Sequence, residues 1–451
     1  MNDKTETDGT RVTRRDFLSV GAAAAVAIGM PSVRSVPHAY KTSARRRYAI
    51  IGTGGRGSSM WGSQVLSAHG DAVELVGLCD INKKRVIEVQ RRLKFSGPIF
   101  TDFDAMCDTV KPDLLTVTTV DATHAGYIVR ALDRGIDVIT EKPMVTDEEQ
   151  CRAVLDAEKR NNRKITVGFN YRYSAKHQTI KNVLASGAIG DIKSVDFAWY
   201  LDIIHGADYF RRWHRLRKNS GSLLVHKATH HFDLVNFWLD AAPIEVSAFG
   251  SLQHYGKNGS FRHTTCRGCP YAATCPFFWD ITKSPDSMGL YVNCESEDGY
   301  TRDGCVYRED IDIFDTMNVV AKYSNGAQMS YSLNACMPFE GYRIAFNGTK
   351  GRLEVRDHER QPWKPEHETE IYLTKNFGQR TLIPVEAPVG GHGGADPALL
   401  QRVFDRVRGK NVPDLPTSRD GALSCLTGIA ARKSIDEKRL VRIDELVPGL
   451  V

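Results

Sequence analysis

The chain has 451 residues, of which 41% are hydrophobic and 25% charged, with a formal net charge of +6. That length implies two or more cores, since domains usually run to roughly 100–200 residues, and the composition excludes a disordered or fibrous protein. With so small a positive excess and no basic stripe, a nucleic-acid-binding role is excluded as well.

The first element is not part of a fold. Thr13-Arg14-Arg15-Asp16-Phe17-Leu18 precedes a small, apolar run from Val20 to Met30, which ends at Pro31. A basic region, a twin arginine and a short apolar stretch, in that order, have the form of a twin-arginine export signal. Residues 1–44 are therefore expected to be signal and linker, and the protein periplasmic or otherwise extracytoplasmic. The apolar run is too short to span a bilayer, which takes about 20 residues, and no later segment is long enough.

From 45 to 168 the sequence alternates continuous apolar runs with helical stretches. Tyr48 to Ile51, Val73 to Cys79, Leu114 to Thr118, Asp137 to Thr140 and Ile165 to Gly168 read as strands. Unbroken apolar strands separated by helices predict a parallel sheet covered on both faces, a doubly wound dinucleotide-binding domain. From 169 to 451 the pattern changes to alternating strands, such as Lys193 to Tyr200, Thr316 to Tyr323 and Ala327 to Leu333. These predict an α+β substrate domain with an open, mainly antiparallel sheet. Residues 253–312, rich in Gly, Cys, Pro and charge, read as an insertion, and helical patterning returns at 396–408 and 418–434.

The first strand ends in Gly52-Thr53-Gly54-Gly55-Arg56-Gly57, a G-x-G-x-x-G run that opens a helix, and the second ends in Asp80. Gly52 permits the tight turn, Gly54 lets backbone approach a pyrophosphate, and Gly57 lets helix and strand pack closely. Asp80 is placed to accept hydrogen bonds from the adenosine ribose and to repel a 2′-phosphate, which favours NAD over NADP. Asn82-Lys83-Lys84-Arg85 just beyond keeps NADP open as the alternative.

Further along stand Thr119 to His124, Glu141-Lys142-Pro143, and Gly221 to Asp233 with His230-x-x-Asp233. Taken with the glycine run and Asp80, this set resembles the glucose–fructose oxidoreductase / inositol dehydrogenase / MocA family over residues 46–451. The resemblance implies that Lys142 contacts the reacting hydroxyl and the nicotinamide ribose, that Thr119, His124 and Glu141 belong to the cofactor site, and that His230 is the proton donor and acceptor. His226 departs from the pattern, because the family carries an aspartate four residues before its histidine. The chemistry asks for such groups on its own account: oxidising a carbinol requires a base for the hydroxyl proton, and a nearby cation stabilises the alkoxide. His226 is thus a third catalytic candidate, and Tyr173, Lys227 and His392 are candidates for the sugar pocket, although a plain turn is an equal reading of His392.

Of the ten cysteines, Cys266, Cys269, Cys275 and Cys305 fall in the insertion in a C-x-x-C-P, C-P and C-V-Y pattern. Relatives with similar inserts carry a comparable pattern, which implies four thiolates around a structural zinc or an iron–sulfur cluster. Two disulfides are the competing reading for an exported protein. The expected function is NAD-dependent oxidation of a sugar or glycoside, with the cofactor tightly bound because no soluble nicotinamide pool exists outside the cytoplasm. Two others stay open, an NAD-dependent glycosidase working through a transient keto-sugar and a non-catalytic sugar-binding protein. A homo-oligomer is the expected assembly.

Overall fold

The computed structural model describes residues 45–386 and 393–451, so the export signal read at 1–44 and His392 lie outside the described residues. Six strands form the first sheet: β1 (Arg46–Ile51), β2 (Val73–Cys79), β3 (Ile99–Phe100), β4 (Leu114–Val117), β5 (Asp137–Thr140) and β6 (Ile165–Val167). Their order is β3-β2-β1-β4-β5-β6, every pair parallel. The order reverses at β1, and ligands of doubly wound sheets bind beyond the strand ends at that reversal. The connecting helices are α1 (Gly55–Ser58), α2 (Val65–His69), α3 (Lys83–Arg92), α4 (Phe103–Val110), α5 (His124–Asp133) and α6 (Glu148–Asn161). A π-helical turn, Ser59–Gln64, joins α1 to α2.

Beyond β6 come α7 (Ala175–Ala185), β7 (Ile192–Asp202), α8 (His205–Arg211), α9 (Arg217–Ser220), α10 (Leu223–His226), α11 (Ala228–Leu239) and β8 (Pro243–Ser251). The Cys-rich segment follows and carries the short helices α12 (Pro285–Leu290) and α13 (Glu295–Asp298). The sheet then resumes with β9 (Thr316–Tyr323), β10 (Gln328–Met337), β11 (Glu340–Gly348), β12 (Gly351–Arg360), β13 (Thr369–Lys375) and β14 (Arg380–Ile383). Two long helices, α14 (Ala395–Val407) and α15 (Ser418–Glu437), precede the two-residue β15 (Val441–Arg442).

The second sheet has nine strands in the order β14-β13-β12-β11-β7-β10-β9-β8-β15. All its pairs are antiparallel except β7 with β10. One face is apolar and covered by α11 and α15; in β9, Met317, Val319, Ala321 and Tyr323 point inward while Asn318, Val320 and Lys322 face solvent. This alternation is the period-2 pattern of a one-sided sheet.

Packing ignores the sequence boundary at 168. Leu399, Leu400, Val403 and Phe404 of α14 join Tyr48, Ile50 and Trp61 in one core cluster, and Phe404 stacks on His69 with centroids 4.8 Å apart. The final helices thus fold back and complete the first domain. No helix among the described residues is long and apolar enough to cross a membrane.

Candidate active site

The glycine run adopts the turn that its spacing predicts. Gly52 has φ +87°, and a Cβ there would lie 2.6 Å from the Thr118 backbone; one on Gly57 would lie 2.2 Å from the Gly52 carbonyl oxygen. At Gly54 and Gly55 a Cβ would meet nothing within 4 Å except the Tyr291 hydroxyl. The two outer glycines are therefore required by packing, and the two inner ones leave backbone facing a cavity of about 780 Å³, where Tyr291 alone approaches them. That opening, with Asp80 beside the loop, fits a dinucleotide whose pyrophosphate lies on the loop.

Asp80 is buried and well supplied with donors. Its Oδ2 accepts from the backbone N–H and hydroxyl of Thr53 at 2.7 and 3.0 Å, and its Oδ1 from Asn82 N–H at 2.9 Å and from Arg85 Nη1 at 3.1 Å. Arg56, read from sequence as part of the cofactor loop, spends its guanidinium on protein: Nε meets Glu141 at 2.7 Å and Nη1 meets Asp396 at 3.1 Å. Trp61 Nε1 donates to the same Glu141 oxygen at 2.8 Å. Burial opposes a charge on Glu141, but Arg56 holds its carboxyl below the usual range. Glu141 and Arg56 line the cavity while tying the loop to β5 and α14. His124 has a similar bracing part, with Nδ1 2.8 Å from Pro143 O and Nε2 3.2 Å from Thr119 O.

Opposite the loop stands α10. It begins at Ser222, which takes an unusual φ of +99°, and α15 lies so close behind that a Cβ on Gly428 would sit 2.1 Å from Leu224 O. That close approach positions His226, at the end of α10, against the end of β4. His226 Nδ1 lies 2.5 Å from Asp121 Oδ2, with both side chains buried. An aspartate from the other domain thus pairs with His226, the residue that stands where the motif has its aspartate. Burial, reinforced by the nearby Lys142 cation, holds the imidazole of His226 well below its ordinary pKa; burial also pushes Asp121 up, here against the pull of Lys142.

Lys142 Nζ donates to His226 O at 3.3 Å. Burial lowers it to about 8, against the pull of Asp121 and Glu141. His230 lines the same cavity and stacks on Tyr171, centroids 4.1 Å apart at 11°. Lys227 Nζ donates to the Tyr171 hydroxyl at 3.1 Å and sits over Trp199. Thr119, Lys142, His226, Lys227 and His230 therefore do converge.

Two expectations need correction. Tyr173 does not line the cavity: its hydroxyl donates to Asp414 O at 2.8 Å, Arg402 covers its ring, and Tyr171 takes the place at the cavity instead. The tetrathiolate metal site is not the arrangement found either. Cys266, Cys269, Cys275 and Cys305 line one small cavity, and none of the ten cysteines is in a disulfide. No group of three or more His, Cys, Asp or Glu among the described residues is placed to hold a metal ion. Cys266 Sγ accepts instead from Arg211 Nη1 at 3.1 Å. Asp233 of the H-x-x-D signature is structural, paired with Arg172 Nε at 2.7 Å.

Sequence reasoning missed Asp121, although it is the only acid in the loop that follows β4. It also missed Tyr291, Tyr300 and Arg302, which reach the cavity from the Cys-rich segment. Nothing local in the sequence marks those three.

Comparison with known proteins agrees with this geometry. Residues 46–169 match the model of the oxidoreductase family NAD-binding Rossmann fold, and residues 181–443 that of the family's C-terminal alpha/beta domain. The Bacillus subtilis (strain 168) protein YteT is 38% identical over 431 residues, 89% of this chain and 98% of its own. D-glucoside 3-dehydrogenase of Escherichia coli (strain K12) is 28% identical over 153 residues, 34% of this chain and 42% of that protein. Among solved structures, the WlbA dehydrogenase of Chromobacterium violaceum, in complex with NADH and UDP-GlcNAcA, shares the fold with TM-score 0.63 at 18% identity, covering 89% of this chain and 96% of that one. The aldose-aldose oxidoreductase of Caulobacter crescentus superposes with TM-score 0.61 at 16% identity, covering 88% and 99%. With both of its domains matched and YteT aligned over nearly its whole length, the chain belongs to the Gfo/Idh/MocA oxidoreductase family and its first domain is an NAD-binding Rossmann domain.

Proposed function

We propose that the protein oxidises a secondary hydroxyl of a sugar or glycoside with NAD, using His226, oriented by Asp121, together with Lys142 and His230. The observation that carries the reading is the buried His226–Asp121 pair beside Lys142, at 2.5 and 3.3 Å, in the cavity that the glycine loop opens onto. A bound nicotinamide supplies the hydride acceptor. The neutral imidazole of His226 has its Nδ1 engaged by Asp121, which leaves Nε2 to take the hydroxyl proton, and the carboxylate stabilises the imidazolium that forms. The Lys142 ammonium stabilises the developing alkoxide. His230, flat against Tyr171, and Lys227 form a polar wall suited to the hydroxyls of a sugar ring.

The D-glucoside 3-dehydrogenase among the relatives supports a polyhydroxylated substrate. Asp80 supports NAD over NADP. The twin-arginine pattern at Thr13 to Leu18 supports export of the folded, loaded protein, with NAD regenerated in place by a second sugar or keto-sugar. Exposed Phe249 and Val320 on the open face of the nine-stranded sheet support a homo-oligomer formed through that face. The test is single-turnover reduction of bound NAD by a panel of sugars and glycosides, followed at the nicotinamide absorbance. Reduction by one class, with release of its keto-sugar, is the expected result. No reduction by any member, from protein that contains NAD, would refute it.

A further inference from the structure

Residues 284–302 leave the second domain, cross the mouth of the dinucleotide cavity and dock on α3. Asp286 pairs with Arg92 at 2.7 Å, Leu290 O accepts from Arg85 Nε at 3.1 Å, and Cys294 O accepts from Asn82 Nδ2 at 2.9 Å. Asp298 pairs with the other end of Arg85 at 2.9 Å, and Ser296 accepts from Lys84 at 2.7 Å. The approach is close enough that a Cβ on Gly289 would lie 2.8 Å from Arg92 Nη2. The base of this limb is fixed to the Cys-rich knuckle by Arg267, which pairs with both Glu295 and Asp303.

Where the limb passes the glycine loop it presents Tyr291, whose hydroxyl accepts from Gly55 N–H at 2.9 Å. That N–H is one of the donors a phosphate oxygen takes on such a loop. Behind Tyr291 lies Arg302, its guanidinium 4.3 Å from the tyrosine ring centre. Its Nε is buried and makes no hydrogen bond among the described residues. A buried unpaired donor is costly. Here it belongs to a cation lining the cavity beside the loop, the complement of a dianionic pyrophosphate.

We propose that residues 284–302 are a clasp that completes the dinucleotide site: Arg302 and Tyr291 bind the pyrophosphate, and the cofactor leaves only when the limb lifts from α3. The proposal rests on the NAD reading above and assigns the Cys-rich insertion a purpose that hydride chemistry does not require, retention of the dinucleotide between turnovers. The tether on Asn82 is the informative one. Its Oδ1 caps α3 by accepting from Arg85 N–H, while its Nδ2 holds the limb. Asn82→Asp keeps the cap and removes the holding donor.

The experiment loads the full chain with NADH and follows its fluorescence while excess NAD displaces it, for the parent, Asn82→Asp, Arg302→Gln and Arg302→Lys. Hydrogen exchange of 284–302 is measured with and without NAD. Release should quicken about 10- to 100-fold in Asn82→Asp and Arg302→Gln, the scale of one charge-assisted or buried hydrogen bond, and Arg302→Lys should recover part of the loss. NAD should slow exchange along the limb. Release rates within twofold of the parent in both Asn82→Asp and Arg302→Gln, with NADH still bound, would overturn the clasp and leave the NAD site standing. A parent chain that binds no dinucleotide would overturn both.

Discussion

Replacing Asp121 by Asn separates the His226 assignment from one centred on His230. The substitution keeps the side chain's size and exchanges a carboxylate for an amide at 2.5 Å from His226 Nδ1. Both groups are buried, so the imidazolium that forms during oxidation loses a desolvated counter-charge. Breaking such a pair costs about 3–5 kcal/mol, and at 1.36 kcal/mol per decade this is a fall of about 10²- to 10⁴-fold in turnover. The carboxylate also raises Lys142 against burial. In the parent, Lys142 is a cation below about 8 and loses its charge above, so the rate of NAD reduction should fall on the alkaline side of that value. In Asp121→Asn that limb should move to lower pH, because the group holding the lysine's pKa up has gone. The assay is single-turnover reduction of bound NAD across pH, with dinucleotide content measured on the same samples. Asp121→Asn reducing NAD at the parent rate, with its alkaline limb unmoved, would refute the pair as the proton-handling group and return the role to His230.

Asp80→Ser should relax discrimination against NADP, since it frees Arg85 Nη1 beside the ribose and removes the repelling carboxylate; binding titrations with both cofactors check it. Gly428→Ala should destabilise the protein by about 1–3 kcal/mol, the usual cost of overpacking, because its Cβ meets the Leu224 carbonyl oxygen at 2.1 Å. Chemical denaturation reads that loss, and turnover should fall with it as α10 shifts His226. Thiol titration of the denatured, unreduced protein should count ten cysteines, and a lower count would mean that disulfides tie the insertion.

What the sequence made legible divides along a physical line. The glycine turn, Asp80 and the run of parallel strands depend on residues near one another in the chain, where backbone sterics and periodicity act, and the structure has them. The Asp121–His226 pair joins residues 105 positions apart and depends on how the two domains face each other, which no local pattern encodes. Tyr171 and Tyr173 show a finer limit. They share a 3₁₀ turn, and at about three residues per turn their side chains diverge; the choice of the tyrosine that meets the cavity is made by α14, whose Arg402 covers Tyr173. The cysteine spacing suggests a ligand set, whereas the guanidinium of Arg211 reaches the sulfur of Cys266 from another segment.

The return of α14 means that the dinucleotide domain is not a contiguous stretch of gene. A fragment ending near residue 170 lacks Leu399, Val403 and Phe404, and so bares the face of Tyr48 and Trp61 that they cover. It also loses Asp396, which grips the Arg56 of the glycine loop. Such a fragment is expected to aggregate rather than to bind nucleotide. Chimaeras that graft a relative's cofactor preference onto this protein must therefore carry two segments together, one from each end of the chain.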